Sequence, residues 1–562
     1  MAQALYPRKA RRLFSPVFLD PHSNPPLTMC FPCFAFSKKR RIEKDDNCTS
    51  LVAPPGGIAV ATWNMAAVNN NPFEYWISHD DELYVKLMTE LEIFIEAPGD
   101  RDVPVGTVFT DDLFAELKTC MEREGWTGLD EVEGMWKTDY SQRLIVSGFM
   151  KDKTIGTKRL ASMPDRITNT ISAEDASGAK VVCRPTVVNN YIGPLGSVRE
   201  WWPRWKAFMF EDEALQIRGK KGLQTSKPCQ MLTKISREKY PAITEEEERL
   251  SIPLQTLCQA IFDAVLVHIM SVLSPDGRWQ NVKESIVESM FKNKGSNSMK
   301  VLQRVCVGAD VICLQECAAT FADALKNSSL GSEYHVVVPA DADPQRDQNS
   351  MLLMRKSSFP EHSECTGEVW TELGSGAPVS KGDVVAVCAK HRTGCDYLLA
   401  SFHGDTNGLA TNPVVDAVAA SLRKRGPTTR LLFGLDANVY LEEKPGWQHV
   451  QGFLQHCDGH GLRSCWPDGQ PMSECLTTCH ARTYLQPQLN KAVKKQDLLS
   501  KGDVNPKDHI LFRKSDFNLV TCAKDNTSQG HFLEQVPFPS LNFPSDHAVV
   551  TVVLAPVDSA KL

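Results

Sequence analysis

The sequence lacks several features that would place it in a special class of proteins. It has no secretory hydrophobic region near its N-terminus and no internal repeat. The most apolar helical stretch, residues 257–273, is interrupted by Gln259, Asp263 and His268. A membrane span needs about 20 residues with few or no charges. This stretch therefore predicts a buried helix.

The composition also lacks a strong charge bias and a dense set of cysteines. The net charge is -6, so any polyanion would have to be met by a local basic patch. Eighteen cysteines are spread over 562 residues, which is too dilute for a secreted disulfide scaffold. Hydrophobic residues make up 42% of the chain, as in a globular protein with a full core. We expect an intracellular, cytoplasmic protein with reduced cysteines.

Residues 1–56 predict a disordered basic tail, because they are rich in proline, serine and basic pairs. Within it, Cys30 and Cys33 precede the basic run KKRR. Acylation of these cysteines beside basic residues would give a peripheral membrane contact. The KKRR run also fits a nuclear signal, and residues 8–12 fit an organellar transit segment. The fourth alternative is a disordered tail that carries no targeting signal.

Globular sequence begins at residue 57 with an apolar strand that ends at Asn64, and a second such strand ends at Glu316. Residues 73–299 lie between them and predict a largely helical insertion, since apolar residues recur there at helical spacing. The Trp-rich segment 197–208 fits either a nucleic-acid surface or a core helix, and we favour the core helix because no nucleic-acid motif accompanies it. After Glu316 short β-branched runs recur with some helical connections, which indicates a mixed-sheet α/β fold.

Several of these strands end in oxygen-rich or imidazole side chains. The residues are Asn64 after AVATW, Glu316 after VICLQ, His403 after ASF, Asp436 and Asn438 in LLFGLDAN, Asp508 in KDHILF, and Asp546 with His547 in FPSDH. Carboxylate and amide oxygens are the ligands that Mg²⁺ or Mn²⁺ accepts, and Mg²⁺ usually leaves further positions to water and phosphate. The pattern therefore predicts a phosphoester site.

The ordered motifs WN, LQE, a strand ending in His, GLDAN, DHILF and SDH closely resemble the endonuclease/exonuclease/phosphatase superfamily, which includes the DNase I-like nucleases. The resemblance covers residues 57–72 and 300–556, the predicted catalytic domain. It implies two packed mixed β-sheets flanked by helices, the DNase I-like four-layer sandwich. The insertion at 73–299 departs from the family, which usually joins the first two strands by a short connection.

The resemblance also implies a role for each residue. Glu316 looks like the principal metal ligand, with Asn64 and Asp546 completing the metal site. His547 looks like the histidine that pairs with Asp508 and faces the phosphate. Asp436 and Asn438 resemble the residues that orient the attacking water, and His403 resembles a phosphate contact. Whether Asp436 or His547 removes the proton from water stays open.

Two further positions are expected to bind substrate. Asn407 lies in the GDTNG loop after His403, and Arg482 lies ahead of the strand that contains Asp508. The expected reaction is Mg²⁺-dependent hydrolysis of phosphodiester or phosphomonoester bonds by in-line attack of water. By analogy with the family we expect a nuclease or nucleotide phosphodiesterase, with nucleic acid or a nucleotide as partner.

Two alternatives to that function stay open. The first is an inositol-phosphate or phosphoinositide phosphatase, or a sphingomyelinase-type phospholipase, which a membrane-bound tail would suit. The second is a catalytically inactive binding module on the same fold. A separate question concerns a Cys/His group between Asn438 and Asp508, consisting of His456, Cys457, His460, Cys465, Cys475, Cys479 and His480. Its spacing matches no standard zinc pattern, so buried free cysteines are the favoured interpretation.

Overall fold

The computed structural model describes residues 51–67, 72–73, 77–161, 171–175, 178–182, 184–187, 191, 193–211, 215–219, 222–238, 240–340, 342, 348–374, 376–479 and 503–557. The membrane contact predicted for Cys30 and Cys33 and the substrate role predicted for Arg482 lie outside the described residues.

The first of two large sheets has six strands in the spatial order β15-β16-β1-β6-β8-β7. Its strands are β1 (Ile58–Asn64), β6 (Val311–Cys317), β7 (Tyr334–Val337), β8 (Asn349–Arg355), β15 (Phe517–Asp525) and β16 (Val549–Pro556). Strands β1 and β6 are parallel, and the other neighbouring pairs are antiparallel. This sheet is therefore mixed.

The second sheet repeats that plan with the order β13-β14-β12-β11-β10-β9. Its strands are β9 (Glu361–Glu364), β10 (Val384–Lys390), β11 (Asp396–His403), β12 (Arg430–Asp436), β13 (Leu462–Ser464) and β14 (Asp508–Arg513). Here β11 and β12 form the parallel pair, and the remaining pairs are antiparallel. Each sheet thus has one central parallel pair.

The two sheets pack face to face over a shared apolar core. Residues of both sheets, such as Val60 and Cys313 from the first and Leu399 and Phe433 from the second, belong to one buried cluster. Gly434 marks the closest approach, since a Cβ there would lie 2.5 Å from the Cβ of Cys313. Strands β1, β6, β12 and β14 are nearly continuous apolar runs because both of their faces are covered.

Helices flank the sheets and form most of the inserted segment, which confirms the predicted α/β fold class of two packed mixed sheets flanked by helices. The α-helices in the described part of the chain are Glu82–Glu96, Val105–Val108, Asp111–Arg123, Leu129–Thr138, Lys153–Thr157, Val198–Lys206, Glu245–Arg249, Ser251–Leu273, Trp279–Val287, Lys294–Val305, Ala319–Lys326, Ser329–Glu333, Thr366–Leu373, Thr411–Lys424 and Val450–Gly459. Single turns of 3-10 or π-helix connect several of them.

The segment between β1 and β6 has a hydrophobic core of its own. Trp201, Trp202 and Trp205 are buried in that core, which supports the core-helix interpretation of the Trp-rich segment. The segment also contains two hairpins, formed by β2 (Ile171–Asp175) with β3 (Gly178–Val182) and by β4 (Leu215–Gly219) with β5 (Gly222–Ser226). The domain boundaries at 57–72, 73–299 and 300–556 stay predictions.

Helix Ser251–Leu273 runs through the core of this segment. It is the one described helix long and apolar enough to cross a membrane by length and composition, and 78% of its most apolar window is buried inside the protein. Such burial is what a core helix requires, and a core helix passes the same length and composition test. His268 is half-buried on it, and burial lowers its pKa.

Candidate active site

The two central parallel strand pairs bring four polar residues to one edge of the packed sheets. In the β1/β6 pair Asn64 lies opposite Gln315, next to Glu316. In the β11/β12 pair His403 lies opposite Asp436. The carboxyl ends of parallel strands meet at the same edge, which is where α/β proteins bind ligands. The sequence alone predicted these strand ends, and the structure places them side by side.

Antiparallel neighbours add the remaining residues at the same edge. Asp508 begins β14 and lies opposite Asp436, and His547 lies just ahead of β16. The turn before β16 is held to the end of β1 by two hydrogen bonds. The Trp63 indole donates to the His547 carbonyl oxygen at 2.9 Å, and the hydroxyl of Ser545 donates to the carbonyl oxygen of Asn64 at 2.6 Å.

Asn64 lies between two carboxylates and contacts both. Its Nδ2 donates to Glu316 Oε1 at 3.0 Å and to Asp436 Oδ2 at 2.9 Å, while its Oδ1 accepts from the backbone N–H of Ala66 at 2.8 Å. His403 Nε2 lies 3.3 Å from Glu316 Oε1 and 3.7 Å from Asp436 Oδ2. As placed, Asn64 fixes the separation of the two carboxylates, and its own oxygen is engaged by the backbone.

His547 forms a buried pair with Asp508. Its Nδ1 lies 2.9 Å from Asp508 Oδ2, and its Nε2 lies 3.7 Å from Asp436 Oδ2. Burial alone would lower the pKa of His547, but the two carboxylates outweigh burial and raise this pKa well above its ordinary value. The raised pKa favours the protonated form of His547 between these two carboxylates.

The pKa of Asp436 is shifted in the opposite direction to that of His547. Burial alone would raise its pKa, but the positive charges of His547, His403 and Lys507 outweigh burial and lower it. Lys507 is itself buried, and the charges of Asp503 and Asp436 raise its pKa despite the cost of desolvation. Asp436 is consequently an ionised carboxylate, able to accept a proton.

The backbone is strained at the same edge of the sheets. Glu316 has a φ of 51° and Asn438 a φ of 46°, in the left-handed region that side chains other than glycine rarely adopt. Ala66 follows with a φ of 55°. Strain of this kind costs about 1–3 kcal/mol per residue and collects at functional sites. Glu316 lies near the end of β6, and Asn438 lies two residues after the end of β12.

The donor set suits a hard divalent cation. Two groups of side chains could each hold a metal ion, because the ligand atoms within each group lie within 4.8 Å of one another. One group is Glu316, His403 and Asp436, and the other is Asp436, Asp508 and His547. Oδ1 of Asp508 is buried without a hydrogen-bond partner among the described residues. Carboxylate oxygens are the ligands that a hard divalent cation accepts. The residues present therefore fit the metal.

Asp546 borders a neighbouring cavity of about 40 Å³ together with Ala66, Ala67 and Lys294. The backbone N–H of Ala67 donates to Glu316 Oε2 at 2.7 Å, so Glu316 adjoins the same cavity. The structure brings together Asn64, Glu316, His403, Asp436, Asn438, Asp508, Asp546 and His547; their individual roles stay predictions.

Comparison with known proteins gives a family model for one segment and structural likeness for another part of the chain. A family described as a domain of unknown function, DUF8234, matches residues 102–284, within the inserted segment. No curated protein matches.

Several solved structures resemble about half of the chain. TDP2 from D. rerio, complexed with single-strand DNA product, is 15% identical and is aligned over 47% of this chain and 94% of its own, with a TM-score of 0.31. The catalytic domain of human Nocturnin, with bound sulfate, is 16% identical over 46% of this chain and 86% of its own, with a TM-score of 0.32. The endonuclease/exonuclease/phosphatase from Bacteroides vulgatus is 12% identical and is aligned over 48% of this chain and 94% of its own, with a TM-score of 0.32.

Two lysines near the site were not found from the sequence. Lys294 belongs to the inserted segment, is buried, and donates to the carbonyl oxygen of Pro544 at 2.8 Å. Burial lowers its pKa to about 8, against the charges of Asp546 and Glu316. Lys507 precedes Asp508 directly, so its position in KDHILF was a signal that could have been used. No sequence signal links Lys294 to Glu316.

The predicted substrate residue Asn407 lies in the loop directly after β11. Gly408 has a φ of 72°, and a Cβ there would lie 2.5 Å from the carbonyl oxygen of Asn438. Only glycine therefore lets this loop approach the Asn438 turn. The backbone N–H of Gln448 donates to the carbonyl oxygen of Asn407 at 2.8 Å, which brings the neighbouring Trp447 to the loop. Trp447 is 38% exposed.

The Cys/His group from 456 to 480 does not form one cluster in the described part of the chain. Cys457, Cys465 and Cys475 are buried in the core between the sheets, whereas Cys479 packs in a different core on the outer face of the first sheet. The groups of potential metal ligands found among the described residues include no cysteine. Buried cysteines, the favoured interpretation of the sequence, fit this arrangement.

Proposed function

We propose that the protein is a metal-dependent phosphoesterase that hydrolyses phosphodiester or phosphomonoester bonds in nucleic acid or nucleotides, with Mg²⁺ or Mn²⁺ as its cofactor. One observation carries the proposal. Glu316, Asp436 and the buried Asp508–His547 pair converge with Asn64 and His403 where two parallel strand pairs end. Neither the packing of the sheets nor a turn requires so many ionisable groups in one place.

The metal would be held by Glu316, with Asp546 on the adjoining side, and Asn64 would keep Glu316 and Asp436 apart. A bound Mg²⁺ neutralises charge that builds up on the phosphorus oxygens. The strained backbone at Glu316 supports this role because it fixes the carboxylate before any ligand binds. Asn64 is a positioning residue in this scheme, since its oxygen is engaged by Ala66.

Proton transfer would divide between Asp436 and His547. Asp436 is ionised and accepts the proton of the attacking water, which Asn438 orients from two residues further along. His547 is positively charged and donates a hydrogen bond to a phosphate oxygen, and Asp508 holds its Nδ1–H in the required orientation. His403 would contact the phosphate as well, since its Nε2 lies 3.7 Å from Asp436 Oδ2. The opposite charges of Asp436 and His547 favour this assignment over His547 as the base.

A nucleotide substrate is supported by the surface beside the Asn407 loop. Trp447 is exposed there, with Tyr440 packed edge-on against it at 4.3 Å and the Lys444 ammonium 5.7 Å from its ring centroid. An exposed aromatic ring next to a cation stacks well with a nucleobase, and such stacking contributes about 1–3 kcal/mol per base. An inositol phosphate or a lipid headgroup offers no aromatic face for this ring.

The test is hydrolysis with Mg²⁺ of four substrates, namely single-stranded RNA, duplex DNA, an inositol polyphosphate and sphingomyelin. We expect cleavage of a nucleic-acid substrate by the wild type and loss of that cleavage in Glu316→Ala and in His547→Ala. The exposed strand residue Glu361, on edge strand β9, provides the matched control Glu361→Ala, which should keep full activity.

Other outcomes would replace parts of the proposal. Cleavage of only the inositol polyphosphate or sphingomyelin would keep the site and overturn the nucleotide substrate. Turnover retained in both Glu316→Ala and His547→Ala would overturn the assignment of the site. Binding without hydrolysis of any substrate would indicate an inactive binding module.

A further inference from the structure

A second group of metal-binding side chains lies on two helices that flank the sheets. His456 belongs to helix Val450–Gly459, His460 follows that helix as its C-terminal cap, and Asp416 belongs to helix Thr411–Lys424. Nε2 of His456 lies 2.8 Å from Asp416 Oδ1, and Nε2 of His460 lies 2.6 Å from the same oxygen. Both imidazoles therefore point at one carboxylate oxygen from across the gap between the helices.

We propose that Asp416, His456 and His460 bind one zinc ion, at a site separate from the active site. Two imidazole nitrogens and a carboxylate oxygen are a common zinc donor set, with a water as the fourth ligand. The three ligand atoms already lie within 4.8 Å of one another. Zinc to nitrogen and zinc to oxygen distances are about 2.0–2.2 Å, so an ion fits between them after small side-chain movements.

The local geometry favours binding of both histidines to one ion. Residues four apart lie on the same face of a helix, and His460 keeps near-helical backbone angles of φ −94° and ψ 4°. The imidazole rings are 5.3 Å apart and inclined at 70°, so they do not stack and both Nε2 atoms stay free to face the same point. The spacing matches that of the paired histidines on a helix in many zinc proteins.

The group is also accessible from solvent. The side chain of Asp416 is 51% exposed, that of His456 30% and that of His460 20%. Zinc can therefore enter and a water can complete its coordination. None of these residues contributes to the active site at the ends of β1, β6, β11 and β12. A bound ion would tie the two flanking helices together and would stabilise the folded state by mass action.

Arg423 gives the proposal a distinctive consequence. Its guanidinium NH1 lies 3.3 Å from His460 Nδ1, so without zinc Nδ1 accepts a hydrogen bond and Nε2 carries the ring proton. Zinc binding at Nε2 moves that proton to Nδ1, where Arg423 can no longer donate. The exposed Arg423 must then turn away, and its charge also repels the ion. Removal of Arg423 should therefore tighten zinc binding.

The experiment is a zinc titration of the full chain against a chromogenic chelator, in excess Mg²⁺. We expect wild type to bind one equivalent more than the double variant His456→Gln, His460→Gln. The variant His362→Gln removes a histidine that contacts His335 elsewhere on the surface, and it should keep the full stoichiometry. Glu316→Ala should keep it too, because Glu316 is not part of this site. Arg423→Gln should lower the dissociation constant several-fold.

Cobalt substitution provides a readout that does not depend on activity. We expect visible d–d bands typical of nitrogen and oxygen ligands, and no near-ultraviolet thiolate band, in wild type but not in the double variant. An equal stoichiometry in wild type and the double variant would overturn the proposal, as would a thiolate band that assigns the ion to cysteines. Failure of the phosphoesterase assay would leave this result untouched, since zinc binding is measured without turnover.

Discussion

The inserted segment and the double sheet both bury aspartates completely, but they surround them differently. Asp263 in the insertion has both oxygens engaged. Gln259 donates to Oδ1 at 3.0 Å, while Trp205 donates to Oδ2 at 2.9 Å and Arg184 lies 3.2 Å from it. Asp508 in the double sheet has His547 at one oxygen and no hydrogen-bond partner among the described residues at the other. Both carboxylates are fully buried, and they differ in how many of their oxygens have a hydrogen-bond partner.

This difference separates a structural charge from a chemical one. A buried carboxylate that is fully engaged, like Asp263, holds helix Ser251–Leu273 against Trp205 and Arg184 and has nothing left to offer a ligand. A buried carboxylate cluster with an unsatisfied oxygen and strained neighbours stores binding capacity instead. Completeness of pairing therefore distinguishes these two aspartates, whose burial is the same.

The largest expected effect comes from removing charge at the sheet edge. We expect Asp436→Asn to lower kcat/KM by about 10⁴-fold, equivalent to ~5 kcal/mol, because the proton acceptor is lost while the shape is kept. Steady-state hydrolysis measures the loss, and thermal unfolding should shift little.

The matched control is Asp396→Asn, at the exposed opposite end of β11. It should leave kcat/KM unchanged. If Asp436→Asn kept more than about a tenth of wild-type activity, the role of Asp436 in proton transfer would be wrong.

Removing a buried charge from the insertion should lower the stability of the folded protein rather than its activity. We expect Asp263→Ala to lower the free energy of unfolding by about 3–5 kcal/mol, because it removes one member of a buried ion pair, the carboxylate 3.2 Å from the Arg184 guanidinium. Urea unfolding measures the change. Glu131→Ala removes an exposed partner of Arg249 and should cost less than about 1 kcal/mol. If Asp263→Ala and Glu131→Ala lowered the free energy of unfolding equally, the structural role of Asp263 would be wrong. The double variant Asp263→Leu, Arg184→Met should be more stable than Asp263→Ala, because it removes both buried charges.

The sequence predicted much of the double sheet because its signals are local. Strands β1, β6, β8, β10, β11, β12, β14 and β16 are β-branched or aliphatic runs bounded by turn residues, and each polar strand end is readable beside its run. The short edge strands β9 and β13 were not predicted. Strand β9 has four exposed residues and β13 has only three residues, so neither shows an alternation of apolar and polar residues. Which strand ends meet depended on pairing, which only the resemblance supplied.

The insertion and the second metal site resisted sequence analysis because their contacts are long-range. Arg184 reaches Asp263, and Asp416 reaches His456 over 40 residues on a different helix. The hairpins β2–β3 and β4–β5 were missed, as their strands are too short to outweigh a helical surrounding. The group around His456 was noticed in the sequence, but no sequence signal linked it to Asp416.

A third prediction concerns acid stability of the double sheet. His509 is buried beside Asp508, its ring lies 2.7 Å from the Ser464 hydroxyl and 2.8 Å from the Pro506 carbonyl oxygen, and burial lowers its pKa to about 4. The unfolded chain has a histidine pKa of about 6.5, so it binds a proton first as pH falls. The stability that neutral, buried His509 contributes is therefore fully present above pH ~6.5 and is lost as pH falls to ~4, a decline of about 3 kcal/mol from this residue.

The measurement is urea unfolding of wild type and His509→Asn at several pH values between neutral and acid. We expect the slope of stability against pH to flatten in the variant, even though the variant is less stable at neutral pH. His362→Gln changes an exposed histidine and should keep the wild-type slope. Parallel slopes in wild type and His509→Asn would contradict the prediction.

The smallest expected effect lies where the two regions meet. Lys294 comes from the insertion but is buried against Asp546 and Glu316, and a cation there opposes a metal ion. We expect Lys294→Met to lower the Mg²⁺ concentration for half-maximal activity several-fold, equivalent to ~1 kcal/mol. Wild type should gain metal affinity as pH rises through about 8, where Lys294 loses its proton, and the variant should not. Lys292→Met, an exposed partner of Glu288, is the control. If Lys294→Met left the Mg²⁺ dependence unchanged, the positive charge of Lys294 would not weaken binding of the metal ion.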